Sequence, residues 1–192
     1  GQPGQYVAPR QVADTVLERS SDFEKLLWKG EGSSFQLAVE AALPDEVRAK
    51  MSEEWHHYTN LRYEVEIGMD REENLIVLNH EALWLLNGME RPAARHPELF
   101  PCPSEPPATL FLKGGKGRKR SISNQPGGNA NYYADGRKTY NPSFRLGRET
   151  SALANIPADL DSFHAAPWFR SLLIDGIQRL ILNSQKIRQP SQ

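Results

Sequence analysis

Apolar and charged residues alternate strictly through Leu61-Arg62-Tyr63-Glu64-Val65-Glu66-Ile67. A period of two predicts a strand with Leu61, Tyr63, Val65 and Ile67 on a dry face and Arg62, Glu64 and Glu66 on a wet one. Asp70-Arg71-Glu72-Glu73-Asn74 breaks the pattern with turn residues. Leu75-Ile76-Val77-Leu78, apolar at every position, reads as a more deeply buried partner strand. Asn60 to Leu86 is thus an antiparallel hairpin around which the rest is organised. Phe35, Leu37, Val39 and Ala41 alternate with Gln36 and Glu40 as another half-buried strand.

A helical period appears elsewhere. Val12, Ala13, Val16 and Leu17 predict a short amphipathic helix from about Gln11. Ser21-Asp22-Phe23-Glu24 has the form of a capping box, opening a helix with Phe23, Leu26, Leu27 and Trp28 that stops at Gly30. Pro44 to Tyr58, rich in Glu, Lys and Arg, reads as a third helix. The last helix carries Trp168, Phe169, Leu172, Leu173, Ile177, Leu180 and Ile181, with Pro167 in its first turn, and fades from Asn183.

The connecting stretches are long. Residues 1–10 form a loosely held lead. Six prolines fall between Pro92 and Pro107, which excludes a helix or a central strand there and leaves a loop over 92–107. Thr109 to Leu112 and Ser121-Ile122-Ser123 predict short strands on either side of a basic loop, 113–120. Asn131-Tyr132-Tyr133-Ala134 and Lys138-Thr139-Tyr140 flank Asp135-Gly136, a strong signal for a type I′ hairpin. The fold class expected is α+β: a largely antiparallel sheet with flanking helices, in one domain or domain fragment over residues 1–192.

Composition narrows the partners. With 23 basic and 24 acidic residues the chain has no global charge to draw it to nucleic acid or an anionic surface. Its length is enough to bury roughly 70% of the unfolded surface without staples. Its one cysteine, Cys102, allows neither an internal disulfide nor a zinc cluster of Cys ligands, which fits a cytoplasmic location. No apolar run approaches the roughly 20 residues that span a bilayer, so no membrane partner is expected. The chain opens with Gly rather than Met, which reads as a segment cut from something longer.

Candidate chemistry concentrates in Lys113-Gly114-Gly115-Lys116-Gly117-Arg118-Lys119-Arg120, five positive charges with three glycines. Glycine lets backbone amides approach a phosphate and the cations supply charge, so Lys113, Lys116, Arg118, Lys119 and Arg120 are candidates for nucleic-acid or phosphate binding. The bland alternative is a solvated hairpin tip. Gly117 stands where a Walker A loop needs Ser or Thr for magnesium, so this is not a P-loop. Tyr132, Tyr133 and Tyr140 could stack on bases, whereas Trp28, Trp55 and Trp168 read as core.

Leu172-Leu173-Ile174-Asp175 has the outline of a Walker B strand, but the helical period around it places Asp175 on a polar helix side. His56 and His57 are adjacent and point apart, unlike metal-sharing pairs at i and i+4. His80 and Glu81 follow a strand, either structural or exposed. No catalytic residue and no metal ligand set is assigned, and no cofactor is expected in this chain.

The order of the pieces carries a resemblance. Asp22-Phe23-Glu24-Lys25-Leu26-Leu27-Trp28-Lys29-Gly30 before a strand resembles a stretch of predicted AAA-type ATPases in the ABC, SMC, RecF and OLD-nuclease group, where it follows the Walker A helix. The hairpin Leu61–Ile67 with His80-Glu81-Ala82-Leu83 is similar to the strand pair that comes next there. Arg148-Glu149-Thr150-Ser151-Ala152-Leu153 resembles the later "serine, small, leucine" segment. Ile187-Arg188-Gln189-Pro190-Ser191 resembles the Arg-x-Pro-Ser stretch before the second half of the ATPase, with Arg188 and Ser191 as markers only.

Walker A, the ABC signature and a credible Walker B are absent from the sequence. The resemblance therefore implies an N-terminal lobe or insertion part of an ABC-type ATPase head, the segment between Walker A and the signature half. Such a segment is inactive alone. ATP and magnesium belong to the parent protein, and the implied partners are the remainder of the ATPase polypeptide and a second head in a head-to-head homodimer. The alternative is a nucleic-acid-binding module using the 113–120 loop.

Overall fold

A computed structural model describes Val16, residues 22–88 and residues 108–176 except 126, 139 and 160, with the backbone alone for Trp28. The architecture is α+β. Among the described residues six strands lie side by side in chain order: β1 Ser34–Ala42, β2 Asn60–Asp70, β3 Leu75–Leu86, β4 Arg118–Asn124, β5 Ala130–Tyr132 and β6 Ser143–Phe144. Each is antiparallel to the next. The described helices are few: a single turn, α1, at Asp45–Arg48, and α2 at Ala165–Asp175, with short 3-10 turns between.

The alternation in β2 puts Leu61, Tyr63, Val65 and Ile67 opposite Leu85, Leu83, Glu81 and Leu78, forming the core face. Arg62, Glu64 and Glu66 lie opposite Trp84, Ala82 and His80 on the other face. The pairing holds only because Asn79 is an extra residue in β3: the register shifts between Glu66 and Ile67, so Leu78 and Glu81 reach one face although three apart. Ser121 is extra in β4 in the same way, between Leu83–Ile122 and Trp84–Arg120. The β2–β3 turn closes on Asn74, whose φ of 53° suits asparagine, while the Asp70 carboxylate accepts from the amides of Glu72 and Glu73.

Helix α2 crosses the core face. Its Ala165, Ala166 and Phe169 are buried with Leu61, Leu83, Leu85, Ile122 and Tyr132, and the Phe169 ring lies 5.9 Å from that of Tyr63. Burying a side chain of that size contributes about 2 kcal/mol or more. Small residues at Ala165 and Ala166 let the helix start sit close to the sheet. A second cluster covers the hairpin end, where Phe23 and Leu27 pack on Val65, Ile67, Ile76 and Leu78.

Several expectations are corrected. Phe23–Leu26 and Trp28–Gly30 are 3-10 turns, not an α-helix, and the cap is Asp22, whose carboxylate accepts from the Glu24 amide at 3.0 Å. Gly30 does end the element, at φ +73°. Pro44 to Tyr58 is not one helix. After the turn α1 the chain forms a 3-10 turn at Glu53–Trp55, pulled onto the sheet by buried Met51 and Tyr58.

Thr109 to Leu112 is extended but joins no strand of the sheet; it crosses the polar face as a strap held by side chains. Asp135-Gly136 does not turn a hairpin, because Asp135 is fully buried and Gly136 is pressed against Asp161. β5 instead pairs with β6. Pro167 sits at the third position of α2. The helix near Gln11, the 92–107 loop and residues beyond Gly176 lie outside the described residues. Among the described residues no helix is long and apolar enough to cross a membrane.

Candidate functional site

Among the described residues three carboxylates are fully buried: Glu64, Glu81 and Asp135. Each accepts backbone amides from a segment far away in sequence, so each fixes a connection onto the sheet. An unpaired buried carboxylate is costly, and the donors around these three show how that cost is met.

Glu81 stands on the core face. Its Oε1 accepts from the Tyr63 hydroxyl at 2.9 Å, the Ser151 hydroxyl at 2.7 Å and the Leu153 amide at 3.0 Å. Its Oε2 accepts from the Ala152 amide at 2.7 Å and the Asn124 side chain at 3.1 Å. No described cation bonds to it. The turn Leu153–Asn155 is thereby clamped to β3, and the Tyr132 hydroxyl adds a bond to the Ala152 carbonyl at 3.1 Å. Burial, with the nearby Glu81 charge, pushes the Tyr63 hydroxyl well above the usual tyrosine value, so it stays a donor.

Glu64 stands on the opposite face and has a cation. Arg62 Nε donates to its Oε1 at 2.7 Å, Arg62 Nη1 donates to Glu40 at 2.7 Å, and Nη2 donates to the Leu110 carbonyl at 2.6 Å. Burial opposes the arginine charge, but the bonds to Glu40 and Glu64 outweigh it and raise the guanidinium above its ordinary value. Trp84 Nε1 donates to Glu64 Oε2 at 3.0 Å, and the Leu112 amide donates to Oε1 at 2.9 Å. Gln36 completes the strap's attachment by accepting from the Leu110 amide at 2.8 Å. Phe111 lies on the His80 ring, centroids 4.1 Å apart, and burial lowers the His80 pKa. The wet face expected of β2 is thus dry at Glu64, because the strap covers it.

Asp135 caps α2 from outside the helix. Its carboxylate accepts from the His164 amide at 2.8 Å and the Ala165 amide at 2.9 Å, where His164 itself offers no side-chain cap. Burial raises its pKa above the usual carboxylate range, while those two amides pull the other way. Gly136 must be glycine, since a Cβ there would lie 2.0 Å from the Asp161 carbonyl oxygen.

The five candidate cations do not form one surface. Lys113 and Lys116 are exposed on the turn, where Gly117 has φ +78° and Arg118 Nη1 donates back to the Lys113 carbonyl at 2.8 Å. From Arg118 onward the chain is β4, and successive side chains diverge. Lys119 reaches the core side: its Nζ bonds the Ala134 carbonyl at 2.5 Å and sits 3.7 Å from the centre of the Trp55 ring. Burial dominates and draws its pKa down to about 8, against the nearby charges of Asp135 and Glu54, which favour the protonated form. Arg120 goes to the other face, its guanidinium 4.5 Å over the Trp84 ring. Tyr132 is in the core rather than beside the turn, while Tyr140 is 60% exposed.

His56 and His57 are exposed, as is Asp175 at the end of α2. Among the described residues no group of three or more His, Cys, Asp or Glu side chains is placed to hold a metal ion. Sequence reasoning named Glu81 without a role and missed Glu64 and Asp135. The available signal for Glu81 was a carboxylate inside the long apolar run of β3. No known protein family, curated protein or solved structure matches this chain.

Proposed function

We propose that this chain is a lobe or insertion segment of a RecF- or OLD-like ATPase, handling nucleotide only within the complete protein. The observation that supports the reading is convergence. Three stretches that carry the resemblance, 22–30, 61–67 with 80–83, and 148–153, are far apart in sequence and meet on one hairpin. Phe23 and Leu27 pack on Val65 and Ile67, and Ala152 and Leu153 donate their amides to Glu81. On this reading the antiparallel sheet belongs to the N-terminal lobe of an ABC-type head, two heads close on ATP and magnesium, and the protein works in the cytoplasm.

The test is nucleotide binding by the isolated segment and by the full reading frame. The complete protein is expected to carry a Gly-x-x-x-x-Gly-Lys-Ser/Thr loop ahead of this segment and to hydrolyse ATP. Calorimetric titration of residues 1–192 with ATP and magnesium should give no heat of binding. Tight binding by this chain alone overturns the proposal.

A second reading, nucleic-acid binding, is favoured by one observation: Lys113 and Lys116 are exposed together on a glycine turn. It rests on those two with Arg118, because Lys119 lies on the core face against Trp55 and the Arg120 guanidinium is stacked on Trp84. Binding to DNA or RNA that weakens steeply with salt, and is lost on Lys113→Ala with Lys116→Ala, is its expected signature. Binding unchanged by that pair of substitutions removes it.

A further inference from the structure

β1 is the outer strand of the sheet, and among the described residues nothing pairs with its far side. The Met69 amide bonds the Ser33 carbonyl at 2.9 Å, and the Leu43 amide bonds the Thr59 carbonyl at 2.8 Å, one at each end of β1. With the register Ser34–Gly68 to Ala42–Asn60, these bonds assign the odd-numbered backbone groups to β2. The amides and carbonyls of Ser34, Gln36, Ala38, Glu40 and Ala42 therefore point outward. Edge strands normally discourage pairing with lysine, proline or a bulge. β1 has none of these. Its one charge, Glu40, is tied to Arg62 at 2.7 Å. Leu37 and Val39, on either side of Ala38, are 51% and 46% exposed.

We propose that β1 pairs antiparallel with β1 of a second copy of this chain, centred on Ala38. Across this edge even-numbered residues must pair with even-numbered ones, a condition met by an axis at any residue of β1, but an axis at Leu37 or Val39 leaves two residues at one end of the strand without partners. Centring on Glu40 sets two glutamates opposite each other, which is repulsive. Centring on Gln36 strands Val39 and the end of β1 without partners. Centring on Ala38 uses the whole strand: Ala38 faces Ala38, Gln36 faces Glu40, and Ser34 faces Ala42. Leu37 then lies opposite Val39 of the other copy in the closer, non-hydrogen-bonded kind of pair. The two-fold axis stands perpendicular to the sheet, so both core faces stay on one side and the four exposed apolar side chains form one row. The pattern is complementary to itself, and Glu40, bonded to Arg62 of its own chain, faces the neutral Gln36 rather than another carboxylate.

One strand pair is smaller than a standard interface, so the dimer is reversible and forms at micromolar concentrations or above. The inference rests on β1 alone and stands or falls separately from the ATPase reading. Sedimentation equilibrium of the 1–192 chain, from micromolar to near-millimolar concentration, should show monomer and dimer in exchange. Ala38→Pro removes an amide that faces outward and leaves the ladder to β2 intact, so it should weaken association about tenfold or more with the fold retained. Should that variant fail to fold, Leu37→Lys, at an exposed side chain, gives the same readout. Ala38→Cys in a Cys102→Ser background should yield a disulfide-linked dimer on oxidation, because the paired Cα atoms would lie about 5.5 Å apart. A chain that stays monomeric throughout, a dimer indifferent to both substitutions, or no cross-link at position 38 overturns the proposal.

Discussion

Glu81 and Glu64 sit on adjacent strands, both without solvent exposure, on opposite faces of one sheet. Glu81 is held by neutral donors alone: two hydroxyls, two amides and an asparagine side chain. Glu64 has an arginine that is itself shared with Glu40, plus one indole and one amide. The difference follows from what each face packs against. The core face is covered by a turn whose backbone amides are free to be captured, while the other is covered by a short strap that leaves room for a long cation. A buried charge thus needs complete coordination more than it needs a counter-ion.

The sharpest way to break this comparison is to remove Glu81. Glu81→Ala orphans two backbone amides, two hydroxyls and an amide side chain in the core. The expected loss is about 4 kcal/mol or more, most of the stability of a domain at the low end of the ordinary range of roughly 5–15 kcal/mol. Urea denaturation followed by circular dichroism checks it. Glu81→Gln keeps one acceptor oxygen and should fall between. A loss below about 1 kcal/mol for the alanine variant would mean that water replaces the carboxylate, and neutral donors would no longer explain its burial.

The hairpin was legible because alternation in Leu61–Ile67 and an apolar run at Leu75–Leu78 are local patterns. What the periodicity does not contain is the pair of extra residues, Asn79 and Ser121, that let Glu81 share a face with Leu78 and send Lys119 and Arg120 where they go. The strap has the composition of a strand, but Gln36, Arg62 and Glu64 replace a partner strand's ladder with side chains, which leaves no period in sequence. Asp135-Gly136 has the local chemistry of a turn, but the open amides at the start of α2 claim the aspartate, a contact across 29 and 30 residues. The divergence of the β4 cations follows from strand geometry, since neighbours on a strand point to opposite faces, but three glycines give 113–120 the composition of a loop.

The Glu64 side of the comparison is tested by removing its cation. Arg62→Met removes the cation that Glu64 shares with Glu40 and should cost about 3 kcal/mol. Replacing both, Arg62→Met with Glu64→Met, should recover part of that loss, since no uncompensated charge remains at position 64. The Leu112 amide should exchange faster with solvent in every variant lacking Glu64, because its acceptor is gone. If the double variant is as unstable as the sum of the singles, the pair is not coupled, and the arginine serves Glu40 and Leu110 instead.

Lys119 is the counterpart of Glu81, a cation whose direct contacts are two neutral groups rather than five, the Ala134 carbonyl and the Trp55 ring, with the charges of Asp135 and Glu54 nearby. Coordination this sparse does not offset burial, and its pKa falls to about 8 from an ordinary 10.5. Below about pH 8 both folded and unfolded chains hold the proton, so this group adds no pH dependence. Between about 8 and 10.5 the unfolded chain keeps a proton that the folded one has released, and stability rises with pH. Measured against Lys119→Met by urea denaturation at successive pH values, the difference should climb by at most about 1.4 kcal/mol per pH unit in that window, in favour of the wild type. A flat difference would show that one carbonyl and one indole, with the charges of Asp135 and Glu54 nearby, suffice to keep this ammonium charged against burial.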